Sequence, residues 1–437
     1  MEPLNVVSLF SGCGGLDLGF QNPSFNITFA SDNDEAAVRA YRYNLGHDAE
    51  LLDVTDATFD DRLRKLVRCD VLLGGFPCQG FSKAGPKLQG DVRNQLYKAM
   101  ITALGVLRPR VFVAENVDGL AQNFQGSFLR QIVADCAEVG YKVEWKVVDA
   151  AWFGIPQHRR RVVIIGVLDD ASQDQHIPWP IATHRWLNRN GEKVIHYDYP
   201  SWASNLLSPR SIADAIDSLR PGMPDHEMET VVNKKNLTII RAIGPGQKLC
   251  NARHDQNSVR TWDIPEAFGP TTARERTILE TVVRNRRHRK YGSIPNGNPL
   301  SLDTLRELVG SDLMAFELDA LVARKFLKRL GEKWEVSGAM FASGIYKRPL
   351  ADQPSPTVLT NFHNPRFFVH PVENRAFTVR EVARLQTFPD SFCFEEAGID
   401  RVDAYRLIGN AVPPLLAEQI ASTVLAICEA EVRDIAA

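Results

Sequence analysis

Short apolar runs separated by glycine-rich or polar turns recur through the first 170 residues. Most are continuous rather than alternating, which is typical of strands buried on both faces. We expect strands at residues 5–10, 26–31, 51–54, 70–73, 110–114, 140–149 and 162–166. Helical segments are expected between them, at 16–20, through 43 and over 91–107. This alternation predicts an α/β domain with a mainly parallel sheet.

The middle of the chain breaks the pattern. From about residue 171 to 345, tryptophans are mixed with Pro, His and Asn in loop-rich sequence. Residues 414–427 are amphipathic again and are expected to pack on the layer of the first strand, so both chain ends complete one domain. We therefore predict a first part of the α/β domain at 1–170, an inserted smaller domain at 171–345, and a return to the α/β domain at 346–437.

A winged-helix-like segment is predicted at 302–336, inside the inserted domain. Residues 302–309 and 318–330 have helical character, and a glycine turn then leads into a strand at 334–336. Between residues 271 and 350 there are fifteen Lys and Arg against nine Asp and Glu. Such a basic footprint is expected of phosphate contact, and the alternative is a solvated helix face.

Composition narrows the class of protein. The 437 residues are 44% hydrophobic and 24% charged, with a net charge of −2, so only a local surface can be basic. Seven scattered cysteines without a Cys-x-x-Cys pair argue against disulfides or structural zinc and indicate a reducing compartment. The start of the chain has no secretory pattern, and no apolar stretch approaches about 20 residues. We expect a soluble cytoplasmic or nuclear protein with no membrane association and no metal.

A glycine-rich turn follows the first strand, at residues 11–15. Asp17 stands where a dinucleotide-binding G-x-G-x-x-G motif needs its third glycine, which disfavours a dehydrogenase. Asp32 ends the second strand about twenty residues later, where an acid suits a ribose diol. Asp32 could equally cap the following helix.

Candidate catalytic groups follow two later strands. Cys78 comes after Pro77 at the carboxyl end of strand 70–73, where open α/β sheets bind ligands. A thiolate there could act as a nucleophile if its surroundings were positive, whereas a lone cysteine is more often an inert core residue. Glu115 ends the next strand and shares the crevice if the two strands are neighbours; otherwise it serves as a cap or in an ion pair. Arg159 and Arg161 point to one side of the strand they enter.

Six blocks in this order resemble the DNA cytosine-5 methyltransferase family in its prokaryotic form. They are Phe10-Ser11-Gly12-Cys13-Gly14-Gly15, Gly75-Phe76-Pro77-Cys78-Gln79, Glu115-Asn116-Val117, Gln157-His158-Arg159-Arg160-Arg161, residues 380–390 and Gly409-Asn410-Ala411-Val412-Pro413-Pro414. The resemblance covers roughly 1–170 and 345–430. It implies a Rossmann-like S-adenosylmethionine-dependent methyltransferase sheet with an inserted target-recognition domain.

The resemblance also assigns catalytic roles. Cys78 would attack C6 of a cytosine turned out of the duplex, which makes C5 nucleophilic enough to take the methyl group. Glu115 would stabilise N3, and Arg161 with Arg159 would hold the O2 side and favour the thiolate. Water is the expected base that removes the C5 proton, and β-elimination would then release the enzyme.

The implied cofactor is S-adenosylmethionine, with S-adenosylhomocysteine as product. Phe10 would face the adenine, Asp32 the ribose hydroxyls and Asp53 the adenine amino group. Relatives often have Glu at Asp32 and a large apolar residue at Asn33, so some adenine stacking is expected to be lost. The full set of implied contacts is Phe10, Gly12, Cys13, Gly15, Asp32, Asn33, Asp53, Val54, Pro77, Leu96, Asn410 and Ala411.

Double-stranded DNA is the implied partner. The expected DNA contacts are Gln79, Ser82, Arg286, Arg287, Arg289, Arg324, Lys325, Lys328 and Arg329. The size indicates a restriction-modification or orphan enzyme of the bacterial cytoplasm, a monomer whose cognate endonuclease, if any, acts separately. One alternative is a tRNA cytosine-5 methyltransferase, disfavoured by the basic insert and by the lack of a Cys-Phe-Thr tripeptide. The other is a catalytically silent scaffold, disfavoured because Cys78, Glu115 and Arg161 are all present.

Overall fold

A seven-stranded sheet forms the centre of the fold. The computed structural model describes residues 2–66, 68–77, 96–169, 177–185, 206–252, 255–294, 297–340 and 342–436. The sheet strands are β1 Leu4–Leu9, β2 Phe25–Asp32, β3 Glu50–Leu51, β4 Val71–Gly74, β5 Val111–Val117, β6 Tyr141–Asp149 and β7 Arg160–Leu168. Their order is β3-β2-β1-β4-β5-β7-β6, parallel from β3 to β5, with β7 antiparallel to both β5 and β6. The predicted α/β, Rossmann-like class is confirmed.

The remaining elements follow in chain order. The helices in the described residues are α1 Gly15–Gly19, α2 Glu35–Leu45, α3 Phe59–Arg64, α4 Tyr97–Leu107, α5 Gly119–Gln122, α6 Ser127–Glu138, α7 Ile212–Ile216, α8 Lys234–Ala242, α9 Pro265–Phe268, α10 Ala273–Asn285, α11 Leu302–Val309, α12 Ala315–Ala323, α13 Val379–Leu385, α14 Arg401–Asn410 and α15 Pro414–Ala436. The shorter strands are β8 Lys248–Cys250, β9 Ser258–Val259, β10 Leu300–Ser301, β11 Leu327–Leu330, β12 Lys333–Val336 and β13 Ser343–Ile345. Short 3₁₀ helices lie at Asn123–Gly126, Ala150–Phe153, Thr261–Asp263, Arg289–Tyr291 and Gly338–Met340.

Alternate residues of the sheet strands build two hydrophobic layers. On one face, Val6 of β1 joins a cluster with Leu416, Ile420 and Val424 of α15. On the other face, Val7 joins a cluster that includes side chains of α4 and α6. Neighbouring strand residues point to opposite faces, so a continuous apolar strand buries both of its sides. The predicted packing of the last helix on the layer of the first strand is confirmed.

One helical stretch among the described residues, Arg401–Ala430, is long and apolar enough to cross a membrane by length and composition. Its most apolar window is 61% buried inside the protein. The buried residues of α15 belong to the core on one face of the sheet. The stretch therefore has the character of a core helix.

The chain divides into two compact units. Unit 1 comprises 1–227, 351–363 and 378–437, and unit 2 comprises 228–350 and 364–377. Residues 206–227 were predicted to belong to the inserted domain, but they fall in unit 1. There Asp225 forms a buried ion pair with Arg380, with 3.0 Å between its Oδ2 and the arginine Nη2. Both side chains are almost fully buried, so this pair ties the segment to α13.

The winged-helix-like segment predicted at 302–336 lies within unit 2 and stays a prediction. Helix α10, strand β10, helices α11 and α12 and strands β11 and β12 follow one another, and the three strands pair in the order β10-β12-β11. The helix predicted over 302–309 is present, whereas the one predicted over 318–330 is helical only as far as Ala323. Helix α12 ends at Ala323, Lys325 has a left-handed φ of 63°, and Leu327–Leu330 is a strand. Its pairing with β12 overrides the local helical tendency.

Candidate functional site

The turn after β1 reaches the end of β2. The Gly12 amide donates to Asp32 Oδ2 at 2.8 Å, and the Asp34 amide donates to Oδ1 at 3.0 Å. Burial raises the pKa of Asp32, and the two amides act in the opposite sense. Asp34, not Asp32, caps α2 by accepting from the amides of Ala36 and Ala37, so the capping alternative for Asp32 is wrong. Each Asp32 oxygen retains a lone pair that a ribose hydroxyl could use.

The same turn borders open space. Phe10 and Gly12 have left-handed φ values of 55° and 56°, so the chain bends sharply as it leaves the strand. A Cβ added to Gly12 would meet no atom within 4 Å. Phe10 is half-buried in the apolar cluster that also contains Val54. The carboxyl edge of β1 and β2 thus offers an aromatic side, a bare backbone turn and a carboxylate, which fit an adenosine-type cofactor.

Asp17 lies beneath this turn and is fully buried. It accepts hydrogen bonds from the Ser8 hydroxyl and the Tyr41 hydroxyl, each at 2.7 Å. Burial nevertheless raises the pKa of Asp17 to about 6. The residue that disfavoured a dinucleotide motif is therefore a structural acid joining β1, α1 and α2.

The C-terminal segment closes against the glycine-rich turn. A Cβ added to Gly15 would lie 2.5 Å from the Val412 carbonyl oxygen and 2.9 Å from the Ala411 Cβ. Any side chain at Gly15 would push that segment away. Asn410 is the exposed last residue of α14, next to this contact. The two ends of the chain therefore meet at the expected cofactor edge of the sheet.

Strands β4 and β5 are neighbours, which confirms the condition on which a shared crevice was predicted. Gly74 pairs with Ala114, so Glu115 lies one residue beyond that pairing. Pro77 is the last described residue of the loop, and the predicted nucleophile Cys78 lies outside the described residues, as do Gln79 and Ser82. The Asn116 side-chain amide, through Nδ2, donates to the Phe76 carbonyl at 2.9 Å. This bond fixes the chain two residues before Cys78.

Glu115 and Arg161 form an ion pair at this edge. Glu115 Oε1 lies 2.8 Å from Arg161 Nε, and the two side chains are only 9% and 11% exposed. Val117 stands opposite Arg161 across β5 and β7, so Glu115 and Arg161 meet diagonally on one face of the sheet. An acid and a guanidinium are thus held together beside the strand that leads into Cys78.

Arg159 has a different environment. It is 1% exposed and donates to the carbonyls of Val358, Gly409 and Ala411 at 2.9–3.1 Å. Burial is the main cause that lowers the pKa of Arg159, with Arg161 adding to it. These bonds connect β7 to the segments around Asn410, so Arg159 positions the C-terminal blocks.

Gln157 is a second buried side chain that connects the end of the first part of the chain to the C-terminal blocks. Gln157 accepts from the Val358 amide at 2.7 Å and donates to Gln386, which itself donates to the Ala411 carbonyl at 2.6 Å. Both glutamines lie inside the six sequence blocks, Gln157 in the block 157–161 and Gln386 in the block 380–390, but the sequence alone indicated no role for either. Only their long-range partners reveal that they join three segments.

Comparison with known proteins decides the family. Residues 4–426 match the family model of C-5 cytosine-specific DNA methylase. The chain belongs to this family. It is 30% identical over 430 residues to the Type II methyltransferase M.NgoFVII of Neisseria gonorrhoeae, covering 97% of this chain and 86% of that protein. It is 28% identical over 455 residues to M.HgiBI of Herpetosiphon aurantiacus, covering 95% of each.

A solved structure shares the fold. A protein described as a DNA modification methyltransferase encoded within an E. coli prophage aligns with a TM-score of 0.55 at 22% identity, covering 98% of this chain and 99% of that one. The family model and the curated relatives show that the chain is a DNA cytosine-5 methyltransferase related to enzymes named Type II methyltransferases, and its family depends on S-adenosylmethionine. No group of His, Cys, Asp or Glu suited to a metal occurs among the residues whose placement is described.

The remaining expected cofactor contacts of the methyltransferase have mixed surroundings. Asn33 and Asp53 are exposed, and Asp53 accepts from both the amide and the hydroxyl of Thr55. Leu96 directly precedes α4 and is half-buried. Cys13 is buried, and this burial raises the pKa of its thiol to about 12, so its side chain is an inert core group.

The expected DNA contacts of unit 2 divide into two classes. Arg286 is buried, with its Nε 2.6 Å from Glu335 Oε1, so its prediction as a DNA contact is corrected: its charge is neutralised inside unit 2. Arg324 pairs with Glu275 at 2.6 Å, and Arg329 lies 3.3 Å from Asp319. The exposed cations of the predicted set that enter none of these pairs are Arg289, Lys325 and Lys328.

Proposed function

We propose that this enzyme methylates C5 of a flipped-out cytosine in a specific duplex sequence through a covalent bond between Cys78 and C6. The ion pair of Glu115 and Arg161 at the end of β5 supports the proposal most strongly. It supplies an acidic group and a fixed positive charge next to the strand that leads into Cys78.

In the proposed reaction, the Cys78 thiolate adds to C6 and electron density moves toward N3. Glu115 stabilises N3 with a proton, and Arg161 holds the O2 side of the base. S-adenosylmethionine, when bound, would supply the methyl group that bonds to C5 and would leave as S-adenosylhomocysteine. Water then removes the C5 proton, β-elimination breaks the bond between sulfur and C6, and N3 returns its proton to Glu115.

The cofactor residues are also proposed. Phe10 would stack on the adenine, the bare turn at Gly12 would admit the methionine part, and Asp32 would accept both ribose hydroxyls. Pro77, Asn410 and the other expected contacts would complete the pocket. The ring of backbone, aromatic and carboxylate groups at the carboxyl edge of β1 and β2 supports this assignment.

We further propose a monomeric restriction-modification or orphan enzyme of the bacterial cytoplasm, whose cognate endonuclease, if present, acts separately. The similarity to enzymes named Type II methyltransferases supports this. Exposed cations of unit 2 would contact the DNA backbone.

The test uses labelled S-adenosylmethionine with mixed-sequence duplex DNA and with tRNA. We expect label at cytosine C5 of DNA, abolished by Cys78→Ser and retained by the control Cys393→Ser. A duplex containing 5-fluorocytosine should be trapped covalently by the wild type, because fluorine cannot leave as the proton does. Label in tRNA alone, or full activity of Cys78→Ser, would refute the proposal.

A further inference from the structure

In residues 273–336 of unit 2, which run from α10 to β12, the acidic and the basic side chains are concentrated in different segments. Residues 302–323, which contain helices α11 and α12, carry five carboxylates and one arginine. The basic loop, which we define as residues 284–291, carries five Lys and Arg and no acid. The segment 324–333, which leads into and forms the hairpin, carries five Lys and Arg and one acid. Positive potential is therefore concentrated away from the helices.

Helix α12 occupies the position that a recognition helix has in this order of elements, yet its exposed face does not suit DNA. Phe316 is 69% exposed, and Ala320 and Ala323 are exposed on the same helix. The charged residues within α12, Glu317 and Asp319, are acidic. Both carboxylates pair with arginines of other elements, Arg274 and Arg329, so α12 itself offers a phosphate no cation.

A buried ion pair joins the basic loop to the hairpin. Arg286 lies at the start of the loop, and its Nε contacts Glu335 of β12 at 2.6 Å. Asn298 donates its side-chain amide to the Arg286 carbonyl at 3.1 Å, and its backbone amide donates to the same carbonyl. Gly297, at φ 135°, lets the chain pass so close that a Cβ there would lie 2.4 Å from the guanidinium carbon. The loop is thus held against one face of the hairpin.

That face carries exposed cations. Lys328 pairs directly with Glu335 across β11 and β12, so both side chains point to the same side. Lys333 lies two residues before Glu335 on the same strand and shares that side. Both lysines are exposed, as are Arg289 and Lys290 of the loop. We call the set Arg289, Lys290, Lys328 and Lys333 the wing face.

We infer that unit 2 contacts duplex DNA through the wing face, against the phosphate backbone, and not by placing α12 in a groove. The inference rests on the proposed role of unit 2 in DNA contact and adds which surface makes it. The buried pair of Arg286 and Glu335 then acts as a positioning device: it brings two basic segments, about 40 residues apart in the chain, to one face.

The experiment measures binding of the full-length enzyme to a mixed-sequence duplex of about 40 base pairs between 50 and 200 mM salt. Lys328→Ala/Lys333→Ala should remove two phosphate contacts. The slope of log K against log salt should then be shallower by about 1.8, so the loss of affinity should be about tenfold greater at 50 mM than at 200 mM salt. Arg289→Ala/Lys290→Ala should act similarly. Thermal unfolding confirms that each variant is folded.

Two helix variants provide matched controls. Phe316→Glu adds a negative charge to α12, and Ala320→Lys adds a positive one. Both should leave affinity and salt slope within twofold of the wild type if the wing face binds. The inference is overturned if Phe316→Glu weakens binding as much as the wing variants, if Ala320→Lys strengthens it, or if the wing variants bind normally. Methyl transfer by the wild type to a long unmethylated duplex separates the two proposals. If the wild type methylates this DNA but the wing variants bind normally, only the inference about the wing face is refuted. If the wild type does not methylate it, the proposed function is refuted as well.

Discussion

Asp17 offers a sharp test of the buried architecture beneath the cofactor edge. Its carboxylate is inaccessible to solvent, and its hydrogen-bond donors are the hydroxyls of Ser8 and Tyr41. Neither donor carries a full positive charge, so the folded state holds a poorly compensated anion at neutral pH. The substitution Asp17→Asn removes that charge while keeping the size and most of the hydrogen-bonding capacity of the side chain.

The magnitude follows from the pKa. Burial raises the pKa of Asp17 from 3.8 to about 6. Each unit of pKa difference between the unfolded and the folded state corresponds to about 1.4 kcal/mol of stability. Between about pH 4 and 6 the folded state binds more protons than the unfolded state, so this group lowers stability as pH rises. The contribution of Asp17 to the free energy of unfolding is fully present below pH 4 and is lost as the pH rises from 4 through 6, a change of about 3 kcal/mol. The neutral asparagine variant should not show this loss.

The assay is urea unfolding of wild type and Asp17→Asn at pH values from 4 to 7.5, followed by intrinsic fluorescence. The difference in unfolding free energy should move by about 3 kcal/mol in favour of the variant across this range. Comparing the two proteins cancels other acids such as Asp32. Ser8→Ala provides a directional control, since losing one donor should raise the pKa of Asp17 further and extend the effect to higher pH. Parallel pH profiles for wild type and Asp17→Asn would refute the reasoning.

Three further predictions concern the site and unit 2. Glu115→Gln should lower turnover by about 10²–10⁴-fold while calorimetric cofactor affinity stays unchanged; unchanged turnover would exclude a proton-donating role. Asn116→Ala removes the hydrogen bond that holds the Phe76 carbonyl two residues before Cys78. It should lower kcat by up to about 10²-fold and alter the pH profile of Cys78 alkylation. An unaltered pH profile would indicate that the bond is purely structural. Glu335→Ala should destabilise unit 2 by about 3–5 kcal/mol in thermal unfolding because Arg286 is left uncompensated, and the double substitution Arg286→Met/Glu335→Leu should recover most of the loss.

The sheet and its functional edge could be predicted from sequence because their signals are local. A buried strand, the turn after it and the chemistry at its end lie within about ten residues, as at Cys78 and Glu115. The rule that parallel strands share a carboxyl edge then places these ends together. The adjacency of β4 and β5 and the pairing of Glu115 with Arg161 agree with that logic.

The roles of the buried polar residues were not accessible in this way, because their partners are distant in the chain. Alternation along the strand predicts that Arg159 and Arg161 point to one side, but it could not distinguish them. Arg161 meets an acid on the neighbouring strand, whereas Arg159 is committed to carbonyls about 200–250 residues away. A strand pattern specifies the direction of a side chain, and only the packing of remote segments specifies what it meets.

The basic segments of unit 2 show the same limit with a consequence for function. A run of arginines predicts that each one is a phosphate contact. In unit 2, however, one arginine is buried, and its ion pair holds the other cations of the loop in position. Arg286 is buried in its ion pair with Glu335, and Lys328 pairs with Glu335 across the hairpin. If the wing face binds DNA, breaking this pair should weaken binding even though Arg286 cannot touch a phosphate. Arg286→Met/Glu335→Leu should then keep unit 2 folded and retain binding, because it preserves the packing that brings the loop to the hairpin.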